Sequence, residues 1–301
     1  MTGKPLHVSH YFYSTFKEYF PEFLGYKASC GNTSDTMEYQ LVRFDRFCLN
    51  KNIKLREITE ALYTEWVVEL CQGVSPSTRY SYIRNFNSFC EYLSAHGINA
   101  YHKDYVHTAL MCRHYIPHIY TLDEIRRFKQ ATMRAVELMP NNQMAKMFPM
   151  IFILLYGCGL RLGEALNITK DDIDANAKTI RIIEGKGGMS RQLPLSNDIW
   201  DSLSSFIDIY HPNGIKQFLF CTKKSRAHTH KASCYSHFRK VLILAGIPHL
   251  GKGKGPRLHD FRHTFAVTSL RMFIRRDVKP RVAIVYLSRY LGHSSPEMTE
   301  Y

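Results

Sequence analysis

The sequence has no apolar run long enough to cross a bilayer. The longest, Met147–Tyr156, contains Pro149 and reads as a buried core helix. The opening Met-Thr-Gly-Lys-Pro-Leu-His lacks the apolar core of a signal peptide. None of the 8 cysteines forms a Cys-x-x-Cys pair, and Cys48 and Cys90 sit inside apolar helical patterns. Reduced, buried thiols in a cytoplasm are therefore expected. Cys221, His228, His230 and Cys234 match no usual zinc spacing, so no metal site is expected. Gly251-Lys252-Gly253-Lys254-Gly255 lacks the Gly-Lys-Ser/Thr ending of a Walker loop. No paired-carboxylate motif supports a metal nuclease. Acidic residues are scarce: 26 Asp+Glu stand against 40 Lys+Arg, a formal charge of +14. That surplus points to a polyanionic partner, nucleic acid before membrane.

A chain of 301 residues is long enough for two domains with full cores. Aromatics crowd Val8 to Gly25, which reads as a short helix, and the small polar stretch Lys27 to Asp35 reads as a loop. A helix starting near Ser34 or Asp35 carries Leu41, Phe44, Phe47 and Cys48 at helical spacing. Thr59 caps a third helix with Leu62, Trp66, Val67 and Leu70 on one face. Ser75-Pro76 opens a fourth, with Ile83, Phe86, Phe89, Cys90 and Leu93 inward, and Gly97 ends it. Its outer face, with Arg79 and Arg84, is readable either as a solvated face or as one that contacts phosphates. Residues 8–97 are thus expected as a helical domain and 98–116 as a linker.

A second domain, 117–301, begins at a capping box, Thr121 with Glu124 three residues on. The core helix from Met147 ends at Gly157 and Gly159, and a short helix follows Leu160. Thr179–Ile183 and Arg191–Leu195 read as strands joined through Gly185-Lys186-Gly187-Gly188. Helices are expected at Ile199–Tyr210, Tyr235–Ala245, His259–Arg276 and Val282–Leu291. The fold class is mainly α with a small antiparallel β-sheet (α+β). Lys223, Lys224 and Arg226, and the loop lysines Lys252 and Lys254, are expected to touch phosphates.

Arg257-Leu258-His259-Asp260-Phe261-Arg262-His263 packs two histidines and two arginines into seven residues at a helix start. Helix N-terminal amides favour an anion, and Arg grips two oxygens at once. From Gly251 onward ten Lys/Arg stand against four Asp/Glu, so the charge surplus is dense there. By itself the stretch is equally readable as a solvated basic helix end.

The order of the motifs is more specific. Gly157-Cys-Gly-Leu-Arg161-Leu-Gly-Glu-Ala-Leu comes first, then Lys186 between strands. His259-x-x-Arg262-His-Thr-Phe-Ala follows, then Leu291-Gly-His293-Ser-Ser and finally Tyr301. Over about Pro117 to Tyr301 this resembles the catalytic half of the phage-integrase family, the tyrosine recombinases. The N-terminal four-helix pattern is similar to that family's SAM-like core-binding domain. The resemblance implies a site-specific recombinase of a mobile element, acting on double-stranded DNA as a homotetramer, with no cofactor. A tyrosine would attack the scissile phosphate, form a 3′-phosphotyrosine and free a 5′-hydroxyl. Arg161 and Arg262 would hold the non-bridging oxygens, Lys186 would protonate the leaving oxygen, His259 would assist proton transfer, and His293 would hydrogen-bond a phosphate oxygen. A type IB topoisomerase shares the chemistry, but the length and N-terminal pattern suit an integrase better. The family's nucleophile usually lies nine residues after the position of His293, whereas Tyr301 lies eight after it. Either Tyr301 serves at a shorter spacing or the nucleophile is residue 302, and the domain is expected to be truncated at its C-terminus. A relative that binds DNA without cutting it is the alternative.

Overall fold

Aromatic side chains build the first of two compact units, Met1–Tyr115, and the second covers Ile116–Tyr301. The computed structural model describes residues 11–30, 35–54, 56–103, 116–183, 190–215, 217–221, 230–251, 255–293 and 295–299. The first unit contains α1 (Tyr19–Ser29), α2 (Asp35–Asn50), α3 (Glu60–Leu70) and α4 (Pro76–Ala95). Phe44 on α2 is fully buried, and its ring lies between 4.8 and 6.4 Å from Phe16, Phe20, Phe47, Trp66, Phe86 and Phe89. Each such ring buried contributes about 1.5–3 kcal/mol, so this cluster is the principal source of the unit's stability. The caps are as expected: Thr59 accepts the Leu62 N–H at 3.2 Å, and Ser75 accepts the Thr78 N–H at 3.3 Å.

The first helix differs from the sequence expectation. It starts at Tyr19 and runs through Gly25 and Lys27 to Ser29. Lys27 is in the last turn of the helix and not in a loop, with its Nζ over the rings of Phe23 and Tyr26, 5.5 and 5.7 Å from their centroids. The buried Asp45 carboxylate accepts the N–H groups of Tyr13 at 3.0 Å and Ser14 at 2.8 Å, tying the chain before α1 onto α2. Ile58 pairs with Ala100, and Asn87 donates to the Lys103 carbonyl at 2.8 Å, so residues 98–103 are held against this unit.

The second unit is a helical body with a small sheet. Its elements are α5 (Leu122–Leu138), α6 (Gln143–Gly157), α7 (Leu162–Leu166), β1 (Ile173–Asp174), β2 (Thr179–Ile182), β3 (Arg191–Pro194), α8 (Asn197–Tyr210), α9 (Lys231–Leu244), α10 (Asp260–Arg275) and α11 (Pro280–Leu291). The capping box forms as read: Thr121 Oγ1 accepts the Glu124 N–H at 3.2 Å, and Glu124 accepts the Thr121 N–H at 2.8 Å. Helix α6 is buried on nearly every side and packs against α5, α7, α8, α9 and α10. It begins at Gln143, ahead of Met147, because Asn142 caps it by accepting the Ala145 N–H at 3.1 Å. The sheet is antiparallel in the order β1-β2-β3, with Ile180 opposite Leu193 and Ile182 opposite Arg191. The two-residue β1 is too short to leave an alternating pattern in the sequence. No described helix is long and apolar enough to cross a membrane.

His237 on α9 is 3% exposed, its ring packs edge-on to Phe148 at 4.9 Å, and its Nε2 has no hydrogen-bond partner among the described residues. Burial first, then the Lys240 charge, lowers its pKa to about 4. An unfolded histidine titrates near about 6.5, so the unfolded chain takes up this proton first as pH falls. The stability tied to His237 is present above about pH 6.5 and is lost toward pH 4. His237→Phe should flatten the fall of Tm over that window in thermal denaturation. An unchanged acid slope would remove His237 from this account.

Candidate active site

A tight backbone approach organises the site. Gly159 sits at φ +62 after α6, and a Cβ there would lie 2.5 Å from the Phe265 ring. Only glycine lets the chain turn at that point while α10 packs against it. Arg161 follows as the N-cap of α7, and Glu164 reaches back to accept its N–H at 2.9 Å. The same carboxylate accepts from Arg161 Nη1 at 2.7 Å, so cap and ion pair share one residue. Arg161 Nη2 also donates to the Gly292 carbonyl at 3.3 Å.

His259 is the N-cap of α10, which places Arg262 in the first turn, facing the end of α6. Arg262 is 3% exposed and donates to the carbonyls of Gly159 at 2.7 Å and Leu291 at 2.6 Å. Its Nη1 lies 3.7 Å from Glu164. Two of its five N–H groups are thus committed to carbonyls that fix the plane of the guanidinium. Thr264 accepts the Tyr120 N–H at 3.0 Å and donates to the Asp260 carbonyl at 2.8 Å, fastening α10 to the chain ahead of α5. Helix α11 ends at Gly292, φ 69, and the His293 N–H closes the cap on the Ser288 carbonyl at 3.0 Å. His293 Nδ1 lies 2.8 Å from Thr299 Oγ1.

A third guanidinium completes the cluster. Arg191 of β3 meets both Glu164 oxygens, at 3.3 and 2.8 Å, and its Nε donates to the Tyr290 carbonyl at 2.8 Å. Burial would raise the Glu164 pKa, but hydrogen bonds from Arg191 and from the Arg161 N–H outweigh it, and the carboxyl titrates below its ordinary value. With Glu164 ionised, three guanidiniums and one carboxylate leave a surplus of two positive charges. That field acts on everything nearby. Arg262 is lowered to about 9, by burial first and then Arg161, and stays protonated at neutral pH. His293 is lowered to about 4 by burial and then by Arg262, Arg161 and Arg191. His259 is open to solvent on one side, yet partial desolvation, His263, Arg262, Arg161 and His293 all lower it. The result is fixed cations beside neutral imidazoles: oxyanion donors together with groups able to accept a proton.

Residues 121–301, more than half of the chain, match the family model described as the phage integrase family. The chain belongs to the phage integrase family. A Sinorhizobium fredii protein named as an integrase/recombinase, y4rB, is 29% identical to this phage-integrase chain over 185 residues, 59% of this chain and 58% of that relative. This chain therefore spans less than two thirds of that relative's length. A tyrosine recombinase of Thermosipho africanus is 26% identical over 229 residues, 75% of this chain and 72% of its own. Among solved structures, the XerH site-specific recombinase bound to its difH substrate superposes with a TM-score of 0.60 at 18% identity, covering 88% of this chain and 74% of that one. That likeness shows the shared fold.

Within this integrase fold, four of the residues singled out from the sequence converge: Arg161, His259, Arg262 and His293. His263 stands edge-on to His259 at 4.9 Å. Lys186 and Tyr301 lie outside the described residues, as do Lys223, Lys224, Arg226, Lys252 and Lys254. Arg79 and Arg84 are exposed on α4. Of the zinc candidates, Cys234 is buried in the core, and no group of metal-ligating side chains occurs among the described residues. Sequence reading paired Arg161 with Glu164 but passed over Arg191. The available signal was its phase: Arg191 shares a strand face with the buried Leu193 and Leu195. A charge on the inward phase of a strand needs a partner.

Proposed function

We propose that this chain is a site-specific tyrosine recombinase that cuts and rejoins double-stranded DNA without metal, through a 3′-phosphotyrosine. The observation that carries this reading is the pair Arg161 and Arg262, both oriented by Glu164 and by the carbonyls of Gly159, Leu291 and Gly292. Two planar forks held in place suit the non-bridging oxygens of one phosphate, and they meet the charge that grows in a pentacoordinate transition state. The tyrosine oxygen forms the new bond to phosphorus as the bond to the 5′-oxygen breaks. His259, kept neutral, takes the phenolic proton, and Lys186 supplies the proton that the 5′-oxygen gains. His293 donates to a phosphate oxygen. Tyr301 is the candidate nucleophile. Rejoining is the same path reversed by a 5′-hydroxyl from another strand. Arg79, Arg84, Lys223, Lys224, Arg226, Lys252 and Lys254 contact the DNA backbone, and four protomers assemble on two sites.

Nicked suicide sites test this directly. The expected result is a covalent protein–DNA adduct that survives chelator and is lost in Arg161→Ala and in the tyrosine-to-phenylalanine variant. Tight binding without any adduct replaces this reading with a relative that binds DNA and does not cut it. An adduct that persists in Tyr301→Phe moves the nucleophile to another residue.

A further inference from the structure

Arg191 belongs to the described cluster but not to the family motifs read from the sequence, and it joins the Glu164 carboxylate to the end of α11. It stands on β3, 10% of its side chain exposed, and links two other chain segments, α7 and the end of α11. Its two terminal nitrogens take both oxygens of Glu164 at 3.3 and 2.8 Å. Its Nε takes the Tyr290 carbonyl in the last turn of α11 at 2.8 Å. The guanidinium lies so close to the α11 terminus that a Cβ on Gly292 would sit 2.6 Å from Nη1. Gly292 is therefore glycine for two reasons, its φ of 69 and the cation against it.

We infer that Arg191 is a positioning residue for strand cleavage: it sets the orientation of Arg161 through Glu164 and the placement of His293 through the end of α11. The inference rests on the recombinase reading above. Glu164 has to serve three guanidiniums. With Arg191 on both of its oxygens, the carboxylate is held at one angle: the Arg161 guanidinium meets Oε1 alone, and Oε2 takes the Arg161 backbone N–H. Without Arg191, only the Arg161 backbone N–H and the more distant Arg262 hold Oε2, and Glu164 can turn toward both terminal nitrogens of Arg161, the geometry a guanidinium–carboxylate pair prefers. That rotation would withdraw Arg161 from a phosphate without removing any group that touches DNA. The Leu291 and Gly292 carbonyls, which hold Arg262 and Arg161, belong to the same helix end that Arg191 anchors. A lysine at this position keeps the charge but cannot span Glu164 and Tyr290 together.

The test compares two substrates in the full chain. One is a suicide site with an ordinary scissile phosphodiester. The other carries a methylphosphonate there, which has one fewer negative charge and so less need of an aligned cation pair. Arg191→Met should slow adduct formation on the phosphodiester by about 100-fold, the scale of a misplaced catalytic group. On the methylphosphonate the loss should shrink to within about 5-fold, and site binding should stay within about 3-fold of wild type. Arg191→Lys should show the same substrate difference with a smaller loss, and it carries the test if Arg191→Met does not fold. Equal loss on both substrates would make Arg191 a merely structural residue, and no loss on either would also overturn the inference. Absence of an adduct from the unaltered chain on both substrates would instead defeat the recombinase reading itself.

Discussion

Arg262→Ala should reduce covalent adduct formation by about 1000-fold, the upper range for removing one preorganised oxyanion donor. At about 1.4 kcal/mol per factor of ten, that is about 4 kcal/mol of transition-state stabilisation. The expectation follows from how little freedom the side chain has. It is 3% exposed and held by two carbonyls from distant segments, Gly159 and Leu291, at 2.7 and 2.6 Å. A group fixed before the phosphate arrives costs no reorganisation when charge develops. Arg262→Lys sharpens the test. It keeps a positive charge, but one ammonium on a flexible stem cannot satisfy both carbonyls and still face a phosphate as a planar fork. Its rate should remain more than about 10-fold below wild type, with site binding little changed in a gel-shift titration. A lysine variant that cleaves at the wild-type rate would show that net charge, and not the arginine's geometry, serves the site.

The largest stability effect is expected at Glu164. Its side chain is 5% exposed and is the only carboxylate among three guanidiniums in the described cluster. Glu164→Ala leaves Arg161, Arg191 and Arg262 to repel one another in a poorly solvated place, and removes the acceptor that caps α7. Breaking a buried ion pair from one side costs about 3–5 kcal/mol, and chemical denaturation of the second unit should show a loss of that size. The pH dependence has a definite sign. Because its folded pKa is lowered, Glu164 contributes stability above the unfolded glutamate value, about 4.3, and that contribution is lost as pH falls through the folded value. Glu164→Gln should abolish this part of the acid limb. A loss below about 1 kcal/mol in Glu164→Ala would mean that solvent screens the cluster as it does a surface pair.

Most of the helices were legible because their signals are local. Thr59, Ser75 and Thr121 announce helix starts through a side-chain oxygen and the N–H three residues on, a relation that needs no distant partner. The phenylalanines of α2 and α4 repeat at helical spacing because one face of each helix is buried. The extension of α1 past Gly25 was not legible. There Lys27 places its Nζ over the rings of Phe23 and Tyr26, a contact that its polarity alone conceals. The start of α6 was missed for a similar reason: Asn142 reads as well for a turn as for a cap.

The candidate site divides along the same line. Arg161 with Glu164 three residues on, and His259 with Arg262 three residues on, are each one helical turn, so their pairing could be read from spacing. Which residues would share one cluster was decided only by folding. Arg262 is fixed by carbonyls 103 and 29 residues away, and Arg191 by a carboxylate 27 residues away and a carbonyl 99 residues away. Backbone carbonyls have no signature in a sequence, because every residue supplies one. The sequence by itself therefore determined most of the helices, the family, and Arg161 and Arg262 as candidate cations. The tertiary structure decided that a single glutamate and the end of α11 orient these two together with Arg191, because only the packed chain brings those carbonyls within hydrogen-bonding distance.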